Sequence, residues 1–319
     1  MVKSIYILLS YFAKNKYIRK INKSLELLKL TSGITLIDVG AAGEIMPRWK
    51  RIEKHLNYHG FEPDERSRKS LLNKPNKCIS YNIHDNLVGN HTYDMPLHLC
   101  SSPMNSSTLI PNKTFNQLFA NKERFNVTHS IELPTSTLDL LELSEIDFIK
   151  LDIQGGELNA LKGAKDSLKK VIALEIEIEF QPIYKDQPLF DDINSYLQKH
   201  NFEFIDFPRL VRWGRDNIFT TVGQCVWGDA LFMRTPESII RQKDDIELVK
   251  KYLAICLLYH RYDYISVIEN LLKTNIDPLF FKKAEILKKK FYSSQLIKRR
   301  LNNVLNLFRF FDEEIYTLH

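Results

Sequence analysis

Residues 35–44 read TLIDVGAAGE, a run of five mostly apolar residues that stops in two glycines separated by two alanines. A short continuous apolar run suits a strand covered on both faces, the usual state of strands in parallel sheets. The small residues after it suit a tight turn leaving the strand's carboxyl end. Ligands of open parallel sheets bind in the crevice beyond those ends, so this stretch predicts a fold class and also where a site should lie.

The rest of the chain extends the pattern. Strands are predicted at TLIDVG, HGFEP, KCISYNI, YDMPLHLC, IDFIKLDI, VIALEIEIEF, FEFIDF and CVWGDALFM, separated by helical or polar stretches. That alternation specifies an α/β, doubly wound, Rossmann-like sheet. Helices are predicted over 158–170 and 189–200. Between Cys100 and Leu133 the chain is first Ser/Asn-rich (SSPMNSST) and then helix-like. This reads as an insertion whose hydroxyls, Ser106 among them, suit donor or polyol recognition, or as an ordinary cluster of turn residues.

From about Thr235 only helices are predicted, at ELVKKYLAICLLYH, YDYISVIENLLKTN, DPLFFKKAEILKKKF and LNNVLNLFRFF. The expected organisation is an N-terminal helical segment over 1–30, an α/β domain over 31–234 and a helical appendage over 235–319. Residues 3–29 carry apolar groups at helical spacing with Lys14, Lys16, Arg19, Lys20 and Lys23 behind them. Packing on the sheet is the simpler expectation, peripheral contact with an anionic membrane the other. The apolar run is shorter than the roughly 20 residues a membrane span needs.

The net charge of +6 comes from Lys and Arg spread along the chain. With no D/N-P-P-Y/F motif and no concentrated basic groove, nucleic acid is not an expected partner. Cys78, Cys100, Cys225 and Cys256 lie far apart without CxxC spacing, which predicts reduced thiols in a cytoplasmic protein.

The candidate chemistry gathers at the strand ends. HGFEPDE places Glu62 about twenty residues after the glycines, where a doubly wound cofactor fold needs a carboxylate for the ribose hydroxyls. NAD and S-adenosylmethionine share that ribose. The turn carries Asp38 before its glycines and Glu44 after them, and negative charge repels a pyrophosphate but not a sulfonium-bearing amino acid. Asp38, Gly40, Gly43 and Glu62 are therefore candidate S-adenosylmethionine residues.

IDFIKLDI carries Lys150 and Asp152 on one face, two residues apart. Buried, they need pairing or a wet cleft. Asp152 is either the general base or orienter of an acceptor hydroxyl, with Lys150 as its electrostatic partner, or half of an ion pair closing the strand. Glu157 opens the next helix, as a cap or a substrate contact. Glu175, Glu177 and Glu179 share a strand face, either a solvated edge or a pocket lining. Lacking His or DxD spacing, they predict no metal site. Arg209, Arg212 and Arg215 with Trp213 read as a loop suited to a sugar or anionic acceptor, Arg212 being the candidate contact, or as a solvated basic loop. His55 and His59 are expected at the surface.

LIDVGAAGE, HGFEPDE, PTSTLDLL, IDFIKLDIQGGELNALKGA and VIALEIEIEF, in that order, resemble the FkbM-type family of S-adenosylmethionine-dependent methyltransferases, over residues 34–234. The resemblance implies a class I methyltransferase fold, methyl transfer to oxygen, and acceptors that are usually sugar or polyketide hydroxyls. One position departs: the family often has an acidic residue where this chain has Gln154, so no carboxylate role carries over there. The expected function is S-adenosylmethionine-dependent O-methylation of a sugar, glycan or related metabolite. The alternative is an inactive methyltransferase-like scaffold recruiting a partner through its C-terminal helices. Joint retention of Asp38, Glu62, Lys150 and Asp152 favours the enzyme.

Overall fold

The structure, a computed structural model, describes residues 17, 19–120, 122–141, 143, 145–215, 223–272 and 276–307, with side chains described as far as 296. Among these residues there are eleven strands: β1 (Ile34–Val39), β2 (Leu56–Phe61), β3 (Ser80–His84), β4 (Leu87–Val88), β5 (Met95–Cys100), β6 (Val127–Leu133), β7 (Thr135–Ser136), β8 (Phe148–Leu151), β9 (Ala173–Glu179), β10 (Glu203–Trp213) and β11 (Gln224–Met233). Seven form one sheet in the order β10-β11-β9-β8-β1-β2-β3. β3, β2, β1, β8 and β9 are mutually parallel, and β11 is antiparallel to both its neighbours. The strand order reverses between β1 and β8, and that switch point is where the carboxyl ends of a doubly wound sheet open a crevice.

The central strands β1, β8 and β9 are almost wholly buried because both sheet faces are covered, their few polar residues being Thr35, Asp38, Lys150 and the β9 glutamates. Every residue of β1 and of β9 is buried. The core around them joins Ile37, Val39, Ile149, Leu151, Leu174, Ile176 and Ile178 to Ala160, Leu161, Leu168, Ile193 and Leu197 of the following helical segments.

Several local expectations are corrected. The helix predicted over 158–170 is a helix Glu157–Lys162 followed by a separate 3-10 turn Ser167–Lys169. It ends at its C-cap Gly163, where no side chain fits because a Cβ would lie 2.0 Å from the carbonyl oxygen of Gly89. The region after Cys100 is not mainly helical: β6 returns antiparallel to β5 as a two-stranded ribbon. Arg209, Arg212 and Trp213 sit on β10, not on a loop, since β10 runs on through register shifts alongside β11. The solvated-edge reading of the three glutamates fails, because β9 lies between β8 and β11.

The chain divides into two compact units. One comprises 34–45 and 56–234, and the other groups 1–33, 46–55 and 235–312. Each list runs beyond the described residues at the chain ends. The first part of the predicted N-terminal helix, residues 1–16, lies outside the described residues, and residues 19–25 are helical. In the helical unit, Ile246–Leu258, Tyr262–Leu271 and Pro278–Leu307 are the long helices. The last is one helix where two were predicted. The unit is tied together by Thr31 N–H donating to Glu247 at 2.6 Å, and by Tyr259 meeting the Trp49 ring edge-on and the Arg48 guanidinium face-on. Among the described residues no helix is long and apolar enough to cross a membrane, and all four cysteines are free thiols.

Candidate active site

A cleft of about 910 Å³, its open mouth included, lies at the carboxyl ends of β1 and β2. Gly40 and Ala42 form one wall, Phe61, Glu62 and Asp64 another, and Asp152, Ile153 and Gln154 the third. Val88, Leu97 and the loop Pro103–Thr108 close it. Its 23 lining residues include three carboxylates and no Lys, Arg or His.

Gly40 adopts φ +82°, and a Cβ on it would fall 1.8 Å from the Asp152 carbonyl oxygen. The glycine thus makes room for the protein's own backbone where β1 and β8 end, and borders the cleft as a consequence. Gly43, at φ +99°, turns the chain away and is not a lining residue. Glu62 is where the sequence places it. Its Oε1 accepts the Asp64 N–H at 2.9 Å, and burial pushes its pKa up to about 7. Asp64, which the strand-end pattern does not single out, lines the same wall, caps the helix Glu65–Leu72 through the Arg66 N–H, and holds the Arg66 guanidinium in a two-pronged pair. Arg66 donates onward to Ser106 Oγ at 3.3 Å, fixing part of the loop over the cleft.

β1 and β8 align Asp38 with Lys150. Lys150 Nζ sits 3.3 Å from Asp38 and 3.3 Å from Asp152, and the Tyr58 hydroxyl donates to Asp38 at 2.9 Å. Asp38 and Lys150 therefore stand behind the cleft wall and Asp152 on it. Gln154 is the junction. At φ +59° its Nε2 donates to Glu177 at 2.6 Å and to Asp152 at 3.4 Å, and its Oε1 accepts from the Tyr184 hydroxyl at 2.8 Å. Its carbonyl accepts from Ser107 Oγ at 2.8 Å.

Glu157 turns back to accept the Ile153 N–H at 2.8 Å, so it shapes the 152–157 turn and does not line the cleft. Glu175 and Glu177 are buried behind Asp152 and are not lining residues. Arg212 lies apart from the cleft, pairing across the hairpin with Cys225 and donating to the Gly223 carbonyl. His59 is half-buried on β2 and stacks on His84. Among the described residues no three carboxylates, histidines or thiols are placed to hold a metal ion.

The sequence model of the methyltransferase FkbM domain matches residues 39–204, more than half of the chain. The chain belongs to that family. Solved structures similar to it include methyltransferase FkbM from Methylobacillus flagellatus KT, 17% identical with a TM-score of 0.38, covering 63% of this chain and 44% of that one. Magnesium protoporphyrin IX methyltransferase from Synechocystis PCC 6803, solved with bound S-adenosylmethionine, is 11% identical with a TM-score of 0.32, covering 68% of this chain and 79% of that one. The match thus spans less than half the length of the Methylobacillus protein. No curated protein matches the chain.

Behind its cleft this FkbM domain stores carboxyl groups with few cations to balance them. Burial raises Glu157 and Asp229 to about 7, and burial together with neighbouring carboxylates raises Glu177 and Glu179 well above the carboxylate range. Glu179 is 0% exposed, and neither carboxyl oxygen has a side-chain hydrogen-bond partner among the described residues. A carboxyl with a raised folded pKa holds a proton that the unfolded chain releases above about 4.3, so stability falls as pH rises from there toward the folded value. Glu179→Met is expected to stabilise the protein by about 1 to 4 kcal/mol at pH 8, with a smaller gain at pH 5. Urea denaturation at both pH values checks this, and a destabilised variant at pH 8 would mean that the carboxyl is satisfied in solution.

Proposed function

We propose that this FkbM-family chain is an S-adenosylmethionine-dependent O-methyltransferase whose acceptor is a hydroxyl of a sugar, glycan or related metabolite. The observation that carries the donor assignment is the polarity of the cleft lining: three carboxylates, two of them paired from behind by Arg66 and Lys150, and no cationic side chain on the lining itself. A dinucleotide pyrophosphate would be repelled there, whereas a ligand bearing a sulfonium and an ammonium is attracted. The donor set fits in other respects. Glu62 is placed for ribose hydroxyls at the end of the second strand, and Phe61, Val88 and Leu97 offer apolar surface to a base.

S-adenosylmethionine, when bound, supplies an electrophilic methyl group. The chain's own residues orient the acceptor, receive its proton and exclude water. Asp152, on the wall and held by Lys150 and Gln154, is the carboxylate assigned to the acceptor proton. The Pro103–Thr108 loop, held by Ser107 Oγ donating to the Gln154 carbonyl and by the Asn105 carbonyl lying 3.0 Å from the Tyr184 hydroxyl, covers the cleft.

Calorimetry tests the donor. S-adenosylmethionine or its demethylated product is expected to bind and NAD is not, and equal affinity for NAD would end the assignment. Glu62 adds a pH signature. Ribose hydroxyls donate to the ionised carboxylate, which a folded pKa of about 7 leaves mostly protonated at pH 6. Donor affinity should rise by about tenfold between pH 6 and pH 8. Glu62→Gln should abolish that dependence and weaken binding at pH 8 by about 1 to 3 kcal/mol. An affinity that stays flat in the wild type would remove Glu62 from the ribose.

A further inference from the structure

The 3-10 turn Lys122–Phe125 and the end of β10 bring two guanidinium groups onto one aromatic cluster. Arg124 lies 4.8 Å from the ring centroid of Phe125 and 4.5 Å from that of Trp213, and Arg215 lies 5.3 Å from that of Phe119. The rings themselves touch, Phe119 meeting Trp213 at 5.4 Å and Phe125 meeting it at 5.8 Å. Neither arginine has a carboxylate partner among the described residues. Arg124 Nε is buried with no hydrogen-bond partner among them.

Arg124 is partly buried with its Nε enclosed and Arg215 is exposed, so among the described residues the two guanidinium groups leave donors free for an anion from solution. The two rings hold the Arg124 guanidinium in place, and a guanidinium fork matches an oxyanion through two parallel donors. Burial lowers the pKa of Arg124, opposed only weakly by Tyr184, yet a guanidinium remains charged at any working pH.

The cluster is tied to the cleft by two routes. The Ser102 N–H donates to the Arg124 carbonyl at 3.3 Å and Ser101 Oγ donates to the Glu123 carbonyl, so the turn is fastened to the start of the loop that closes the cleft. Tyr184 meets Phe125 edge-on at 6.1 Å while its hydroxyl bonds Gln154, which in turn bonds Asp152.

We infer that Arg124, with Arg215 and the rings of Trp213 and Phe119, forms an oxyanion subsite, and that the acceptor is an acidic sugar bearing a carboxylate or phosphate. The inference names the acceptor class of the proposed methyltransferase and so rests on that reading.

Calorimetric titration with glucose, glucuronate and glucose 6-phosphate at constant ionic strength, with and without S-adenosylhomocysteine, tests it. At least one acid should bind tenfold or more tightly than glucose, and the better of the two identifies the oxyanion. Arg124→Ala should reduce that acid to the level of glucose while leaving S-adenosylhomocysteine affinity within twofold. Should Arg124→Ala not fold, Arg215→Ala should lower the acid's advantage at least threefold. Acids that bind no better than glucose overturn the subsite, as does an advantage that survives in the variants. Absence of S-adenosylhomocysteine binding in the wild type would instead strike the donor assignment, and the titrations without donor still decide the subsite.

Discussion

Lys150→Met is expected to cost about 3 to 5 kcal/mol of stability, the loss typical when one partner of a buried charge set is removed. The ammonium stands between Asp38, which is 3% exposed, and Asp152. A methionine of similar length fills the space and leaves Asp38 with a hydrogen bond from the Tyr58 hydroxyl but no counter-charge among the described residues. Burial alone would lower the lysine's pKa, but the two carboxylates more than reverse this and the net shift is upward. A lysine raised in the fold contributes fully at every pH below its unfolded value of about 10.4, so the loss should be undiminished across neutral pH. Urea denaturation at pH 7 measures it. A midpoint change equivalent to less than about 1 kcal/mol would mean that the pair behaves as an exposed one.

Asp152→Asn should cut turnover by at least about a hundredfold while leaving donor affinity nearly intact. A sugar hydroxyl is a poor nucleophile at neutral pH, and in-line attack requires it about 3 to 3.5 Å from the methyl carbon with its proton directed to an acceptor. Asp152 is the carboxylate on the cleft wall nearest the β8 exit, and an amide in its place would keep the side chain's shape without its basicity. A fully active variant, assayed with a methylated product as readout, would assign proton transfer to another group or to none. The two variants separate two roles: Lys150→Met is read by denaturation, and Asp152→Asn by kcat at a temperature where the variant is fully folded.

The buried strands are readable in the sequence because burial on both faces leaves runs that are apolar but for one residue, as in LIDV and FIKL. β6 is not, since five of its seven residues are exposed and the strand pairs only with β5. The second half of β10 is hidden for the same reason: RLVRW has the composition of a basic loop, and only its partner β11 reveals it. Within the site, Glu62 and Asp152 are legible from their position after strands. Asp64 has a local signal, a helix-capping aspartate before ERSRKSLL, which the more conspicuous Glu62 overshadows. Gln154 reads in the sequence as a missing carboxylate, whereas in the fold its amide is what joins Asp152, Glu177 and Tyr184. Arg124 carries no sequence signal, because its significance lies in rings that come from Phe125 and from Trp213, far along the chain.

The interleaving of the two units has a consequence for synthesis. The crossover between β1 and β2, residues 46–55, belongs with the helical unit and holds the buried Trp49 and Ile52. A ribosome releases these residues early, yet Tyr259 and the helices around it emerge last. Thr31 likewise waits for Glu247, 216 residues further on. At about 5 to 20 residues per second that interval is roughly ten to forty seconds, during which Trp49 lacks the Tyr259 ring that meets it edge-on in the finished fold. Residues 46–55 can therefore take up their packed state only after residues some two hundred positions further along the chain have been made.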